Sequence, residues 1–215
     1  MKNKKFNSTK CNEFFKPANR EDTKSICSNK ILIEVSGRHV HLSKEDVDKL
    51  FGKGYKLNNI KNLSQPGNYA AKEKVSLING NKRFDDVRIL GPPRGRTQVE
   101  LSKTDSIYLG LKAPVKLSGD YKNTPGIKIK GPKGEVNLKQ GVIVARRHLH
   151  VSESQAKDLG IKNKDIVSIK TPGERSLVFN NIITRVGNFE SALHLDTDEG
   201  NAAGIENITY GELIK

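Results

Sequence analysis

Short apolar stretches, separated by turns rich in Gly, Pro and Asn, dominate the chain and predict β-strands rather than long helices. The first is Ile31–Val35, which is rich in β-branched residues. Asn79-Gly80 and Gly131–Gly134 each separate two such stretches, as turns of β-hairpins do. The pattern therefore predicts a mainly β fold of small barrels or sandwiches. Further strands are predicted at 75–78, 87–90, 98–101, 127–129, 136–138, 166–169, 177–179 and 182–183.

Two short helices are predicted within this β pattern. Ser43 is a suitable N-cap, and Gly52 lies where the first helix should end. Ser152 and Gln155 have the spacing of a capping box, and Gly160 is placed to end the second helix.

A His-x-His motif occurs twice and precedes both helices. Arg38-His39-Val40-His41-Leu42-Ser43 returns as Arg147-His148-Leu149-His150-Val151-Ser152, at an offset of 148 − 39 = 109 residues. The chain has five histidines, and the fifth is His194. Each repeat therefore reads as a strand, a histidine pair and a short helix.

These histidines predict a metal site. Residues i and i+2 of a strand point to the same side, so each pair can offer two imidazoles to one ion. A catalytic zinc ion takes three protein ligands and keeps one position open. Five histidines exceed one such set, so we expect two ions, with a carboxylate completing one ligand shell.

A cationic, proline-containing loop supplies further candidates. Gly91–Gln98 contains Arg94, whose planar guanidinium can bind phosphate with two parallel hydrogen bonds. The alternative, an exposed arginine-rich turn, is equally open. Glu100 is the candidate carboxylate ligand. Asp196 either orients His194 or caps a turn.

Composition narrows the classes of protein. The 215 residues fit one or two domains, and the net charge of +14 favours an anionic partner. The lysines are dispersed and Trp is absent, so the chain lacks the pattern of an RNA-binding module. A phosphate-rich small molecule also suits this charge, and we expect no nucleic-acid partner.

Residues 1–29 are polar and are predicted to form an N-terminal extension, with Phe14-Phe15 as its apolar spot. No apolar run is long enough for a membrane span or a secretory signal, so we expect a cytoplasmic protein with no membrane partner. Cys11 and Cys27 form neither a zinc motif nor a disulfide framework.

Taken together, the motifs resemble the PduL-type phosphate propanoyltransferases (phosphotransacylases). The resemblance covers roughly residues 31–210. It rests on the repeated Arg-His-x-His-x-Ser, Leu63-Ser64-Gln65-Pro66-Gly67, Gly-Pro-x-Arg before Thr97–Glu100, and His194 followed by Asn201.

The resemblance implies the reaction acyl-CoA + phosphate ⇌ acyl phosphate + CoA. It also implies two small β-barrels, formed by residues 38–145 and by residues 30–37 plus 146–215, with a two-zinc site between them. Members packaged in bacterial microcompartments often carry an amphipathic N-terminal peptide, and residues 1–29 contain no convincing one. Acyl-chain preference, the choice among zinc, cobalt and manganese, and a homodimer stay open.

Site residues follow from the resemblance by motif. It implies that His39, His41 and Glu100 hold one ion, that His148, His150 and His194 hold the other, and that Arg94 binds phosphate in catalysis. It assigns the CoA channel to Val35, Ser36, Gly37, Lys61, Arg88, Leu90 and Asn201.

Two rival interpretations remain at this stage. A two-cupin-like metalloenzyme would use Glu45 with the first histidine pair, but Glu45 lies in the predicted helix. A basic nucleic-acid-binding barrel protein would bind DNA or RNA independently of metal and lose that binding at high salt.

Overall fold

A computed structural model describes residues 29–206 and 208–214. The predictions made for residues 1–28, including Cys11 and Cys27, lie outside the described residues. The predicted mainly β fold with short helices is confirmed. The strands are β1 (Lys30–Ser36), β2 (His39–His41), β3 (Asn59–Asn62), β4 (Tyr69–Asn79), β5 (Lys82–Gly91), β6 (Gln98–Leu101), β7 (Val115–Lys116), β8 (Ile127–Lys130), β9 (Glu135–Leu138), β10 (Val142–Ala145), β11 (His148–Ser152), β12 (Ile166–Lys170), β13 (Val178–Gly187), β14 (Ala192–Asp196) and β15 (Ile208–Ile214). The helices are α1 (Lys44–Phe51), α2 (Lys103–Tyr108), α3 (Glu153–Leu159) and α4 (Thr197–Ala202).

Six strands close into a barrel in the order β1-β14-β11-β13-β12-β15. Strand β1 comes from the start of the described chain, yet it pairs parallel to β14 and antiparallel to β15. The interior contains alternate residues of these strands, such as Ile33, Leu149 and Leu193, which are fully buried. Residues between these positions therefore face outward, and they include the histidines of β11 and β14.

The second sheet follows the order β7-β10-β6-β2-β5-β4-β8-β9, with β3 paired to β4. It is curled into half a barrel, whereas the first sheet is closed. Its apolar core contains Val40, Ile89 and Val99. The strands at its centre, β2, β5 and β6, are those that contain the first His-x-His motif and its neighbours.

Both predicted helices form with the expected caps. The side chain of Ser43 accepts a hydrogen bond from the Asp46 backbone, and Gly52 ends α1 with a φ of 110°. The side chain of Ser152 accepts one from the Gln155 backbone, and Gly160 ends α3 in the left-handed region. A reciprocal bond from the Gln155 side chain is absent among the described contacts, so only half of the predicted capping box forms. No helix in the described part of the chain is long and apolar enough to cross a membrane.

Three local features differ from the sequence-based expectation. The alternation of polar and apolar residues over 98–101 is typical of a half-buried strand. Strand β6 is instead buried on both faces, because Gln98 accepts a hydrogen bond from Gly119 N–H and donates one to Asp120 O in a loop that covers it. The stretches predicted at 177–179 and 182–183 belong to one continuous strand, β13, which begins at Val178. Helices α2 and α4 have six residues each, too few for an apolar period to be visible.

Gly211 provides a test of the barrel packing. A Cβ at this position of β15 would lie 2.6 Å from Ile169 Cγ2 and 2.7 Å from Ile33 Cδ1, both inside the barrel. We expect Gly211→Ala to lower the free energy of unfolding by about 1–3 kcal/mol, because close-packed cores resist added volume. Urea denaturation measures this.

Gly95→Ala is the matched control, since nothing lies within 4 Å of a Cβ there and its φ is not positive. Equal stability of the two variants would contradict the packing described for β15.

Candidate metal centre

The first cluster consists of His39, His41 and Glu100. Strand β2 pairs antiparallel with β6, which places His39 directly opposite Glu100. The carboxylate lies between the two imidazoles, with Oε2 3.6 Å from His39 Nε2 and Oε1 3.5 Å from His41 Nε2. All three residues are less than 9% exposed.

Backbone carbonyls orient both imidazoles of this cluster. His39 Nδ1 lies 2.8 Å from Gly37 O, and His41 Nδ1 lies 3.3 Å from Leu90 O. A carbonyl oxygen only accepts, so Nδ1 carries the proton in each ring. The unprotonated Nε2 atoms therefore face Glu100, which is the arrangement found around ligating histidines.

The second cluster consists of His148, His150 and His194. Strand β11 pairs antiparallel with β14, which places His148 directly opposite His194. His148 Nδ1 donates to Arg146 O at 2.9 Å, repeating the contact of His39 with the carbonyl two residues before it. The three rings lie within 5.1 Å of one another, centroid to centroid.

Glu34 of β1 is the acidic neighbour of His194. Its Oε2 atom lies 3.7 Å from His194 Nδ1 and accepts a hydrogen bond from Ser64 Oγ at 2.6 Å. Asp196, the sequence-based candidate for that position, caps α4 and accepts from Glu199 N. Asp196 was expected either to orient His194 or to cap a turn, and in the structure it caps the helix.

Burial favours the neutral form of His41, His148, His150 and His194. It lowers the pKa of His41 to about 4 and the pKa of His150 and His194 to about 3. Burial raises the pKa of Glu100, but its close contacts with His41 and His39 outweigh that effect and leave the pKa below its usual range. Neutral imidazole and ionised carboxylate are the forms that bind metal ions.

The side chains present fit two metal ions. Within each cluster the potential ligand atoms lie within 4.8 Å of one another. Glu100 Oε1 and His150 Nδ1 are buried without a hydrogen-bond partner among the described residues. An orphaned buried acceptor is costly, and coordination would satisfy it. Two nitrogens plus one oxygen, or three nitrogens, are donor sets that zinc and similar divalent ions accept.

Arg94 lies beside the first cluster, in the loop between β5 and β6. Its backbone N–H donates to Leu42 O, and its Nη1 donates to Ser118 Oγ, both at 2.8 Å. Burial lowers its pKa, while the charge of Glu100 opposes that shift. A half-buried guanidinium thus lies within electrostatic range of Glu100, a candidate metal ligand.

The residues predicted for the CoA channel lie in the connection between the two sheets, on strands β3 and β5 of the open sheet, and beside helix α4. Ser36 and Gly37 form the connection from the barrel to the open sheet. Arg88 lies next to His39 on β5, and its guanidinium donates to Ala71 O and Lys72 O.

Lys61 and Leu90 lie in one row across β3, β4 and β5, with Ala70 between them. Val35 packs against α4, where a Cβ at Gly200 would lie 2.7 Å from it. Asn201 is exposed on that helix. No ligand tests these assignments, and they stay predictions.

Besides Glu34, the sequence analysis missed three neighbours of the second cluster. Gln65 Nε2 lies 3.2 Å from His194 Nε2 and 3.4 Å from Glu190 O. The ring of Phe189 stacks on His150 with a centroid distance of 4.5 Å. Arg185 lies next to His150 on β13. Gln65 belongs to the segment Leu63–Gly67, one of the motifs of the family resemblance, but neither Phe189 nor Arg185 belongs to a local motif.

The chain is similar in sequence to known proteins over most of its length. The family model for phosphate propanoyltransferase matches residues 32–206. The chain is 49% identical to the phosphate propanoyltransferase of Thermotoga maritima, with 86% of this chain and 87% of the relative covered. The corresponding values are 48%, 86% and 89% for the protein of Clostridioides difficile, and 45%, 82% and 85% for that of Salmonella typhimurium.

The fold and the two side-chain clusters define a two-sheet β protein with candidate ligands for a pair of metal ions. The chain belongs to the phosphate propanoyltransferase family, a family of acyltransferases. The resemblance inferred from the sequence motifs is thereby confirmed.

The buried histidines predict a pH dependence of stability in metal-free protein. In the unfolded chain their pKa is about 6.5, and folding lowers it to about 3 for His150 and His194. The unfolded state therefore binds more protons below about pH 6.5, and the free energy of unfolding should fall as the pH drops from 6.5 towards 4. Urea denaturation in the presence of a chelator measures it.

His150→Gln is the comparison variant, because it removes one of these groups. Its stability should depend less steeply on pH than that of the parent over the same interval. Identical slopes would show that the His150 ring is not held neutral by folding.

Proposed function

We propose that the protein is a phosphate propanoyltransferase that interconverts propanoyl-CoA plus phosphate with propanoyl phosphate plus CoA. The observation that carries this proposal is the pair of metal-ligand clusters with Arg94 beside the first of them. This arrangement suits a reaction in which a phosphate oxygen attacks a thioester carbonyl and a thiolate leaves. The relatives are named phosphate propanoyltransferases, which supports the same reaction.

We propose two divalent ions, with zinc expected, held by the first and second clusters. When bound, they would supply positive charge to a thioester carbonyl, a thiolate or a phosphate oxygen. Glu100 and the histidines would fix their positions, since carbonyls and Glu34 already orient these side chains. The reaction needs no side-chain nucleophile, and the described residues contain no cysteine.

Arg94 would bind the attacking phosphate. Its contacts with Leu42 O and Ser118 Oγ fix the loop and one edge of the guanidinium. Its remaining N–H groups can then bind two phosphate oxygens. A fixed donor loses little side-chain entropy on binding, so it can hold phosphate in the orientation required for attack.

The CoA substrate would lie along the face of the open sheet that contains His39. Arg88 and Lys61 would supply positive charge for its phosphates, and Ser36-Gly37, Val35, Leu90 and Asn201 would line its path. We also propose that residues 38–145 and residues 30–37 plus 146–215 act as two domains. Phosphate and CoA are then the partners, and the cytoplasm is the proposed location.

An assay of CoA release tests the proposal against its rivals. Propanoyl-CoA is incubated with the full chain, with and without phosphate, and the free thiol is measured. We expect release that requires phosphate and stops after chelation. CoA release at the same rate with and without phosphate would favour a metalloenzyme of other chemistry. No release, combined with chelator-resistant and salt-sensitive DNA binding, would favour the nucleic-acid-binding alternative.

Replacement of Arg94 predicts a loss of phosphate binding. Hydrogen bonds to charged groups contribute about 1.5–3 kcal/mol, so Arg94→Ala should lower kcat/KM for phosphate by roughly 10- to 150-fold. Steady-state kinetics with varied phosphate, together with elemental analysis for metal, measures the effect.

Arg96→Ala is the matched control, because Arg96 belongs to the same loop but is exposed and lies over the Tyr121 ring. It should retain near-parental kinetics. Near-normal turnover of Arg94→Ala with its metal retained would remove Arg94 from the reaction.

A further inference from the structure

Arg185 shares the outer face of the barrel with the second cluster. In β13, Ile182 and Val186 belong to the barrel core, so Arg185 points to the opposite side. Strand β13 pairs parallel with β11, and Arg185 is the direct cross-strand neighbour of His150. Neighbouring residues of paired strands project to the same face, so Arg185 lies alongside the three histidines.

Arg185 has no hydrogen bond or ion pair among the described residues, although it is half-buried. The acidic groups near the clusters already have contacts: Glu34 accepts from Ser64 Oγ, and Glu100 lies between the two histidines. A partly buried guanidinium without an anion is unfavourable. The position therefore calls for an anionic partner that the described chain does not supply.

Arg185 also interacts electrostatically with Arg94, which belongs to the other sheet. Its positive charge lowers the pKa of Arg94, and it lowers the pKa of all three histidines of the second cluster. Two arginines, one from each sheet, thus lie within electrostatic range of each other. Like charges repel, so this arrangement is favourable only when an anion lies between them.

We propose that Arg185 is a second phosphate-binding residue, which holds the phosphate oxyanion from the barrel side while Arg94 holds it from the sheet side. The inference rests on the proposed function and adds a positioning residue to it. The ligand is phosphate rather than the phosphate groups of CoA, because Arg185 flanks His150, whereas Arg88 and Lys61 lie on the open sheet. Two guanidinium groups on opposite sides would fix both the position and the rotation of a tetrahedral dianion.

The test compares Arg185→Ala and Arg185→Lys with the parent, using the full chain loaded with metal. Inorganic phosphate is titrated by calorimetry, KM is measured for phosphate and for propanoyl-CoA, and bound metal is quantified. We expect Arg185→Ala to weaken phosphate binding and raise KM for phosphate at least tenfold, with KM for propanoyl-CoA changed less than about twofold. Arg185→Lys keeps the charge but lacks the planar fork, so it should recover only part of the affinity.

Lys170→Ala is the matched control, because it removes one positive charge from an exposed position of the same barrel. It should bind phosphate as the parent does. Unchanged phosphate affinity in Arg185→Ala would overturn the proposal, and so would loss of metal or an equal rise in both KM values.

Failure of the proposed function is distinguishable from failure of this inference. If the parent releases no CoA but binds phosphate in a manner that depends on Arg185, the phosphate site is supported and the proposed reaction is contradicted. If the parent converts propanoyl-CoA and Arg185→Ala matches it in every measurement, the proposed reaction is supported and the role of Arg185 is contradicted.

Discussion

Strand register is the constraint on which the candidate site depends. Each histidine pair lies on a short strand, and its third partner lies directly across an antiparallel ladder. The apolar residues between the ligands hold this register: Val40 pairs with Val99, and Leu149 pairs with Leu193, all of them fully buried. A slip of one residue would turn the ligands into the core and the apolar residues towards the site. Core packing therefore sets the relative positions of the candidate ligands.

The duplication extends beyond the sequence motif. Glu100 and His194 each lie two residues before the N-cap of a six-residue helix, at Ser102 and Asp196 respectively. The arginine before each histidine pair then reaches the third residue of that helix: Arg38 bonds Asp105 at 2.6 Å, and Arg147 bonds Glu199 at 2.8 Å. One local design thus occurs once in each sheet, with a carboxylate in the first copy where the second has an imidazole.

The sequence predicted those parts of the site whose signals lie within a few neighbouring residues, and it missed those that depend on distant strands. His-x-His spacing, the Ser43 and Ser152 caps and the terminal glycines act within a few residues, and the structure has them as expected. Glu34 and Arg185 were missed because each meets the clusters only through pairing with a distant strand. Alternation likewise could not show that β6 is covered on both faces, since the covering loop lies about twenty residues away in sequence.

Electrostatics explain why polar side chains of this kind can lie together. Burial makes the histidines poor proton acceptors, so the clusters carry little positive charge without metal. Two divalent ions would change this, because each charge of +2 repels a nearby arginine. Arg94 and Arg185 would then oppose metal binding unless an anion lies between them. A phosphate dianion would attract both the ions and the arginines, and these attractions would offset the repulsion among the positive charges.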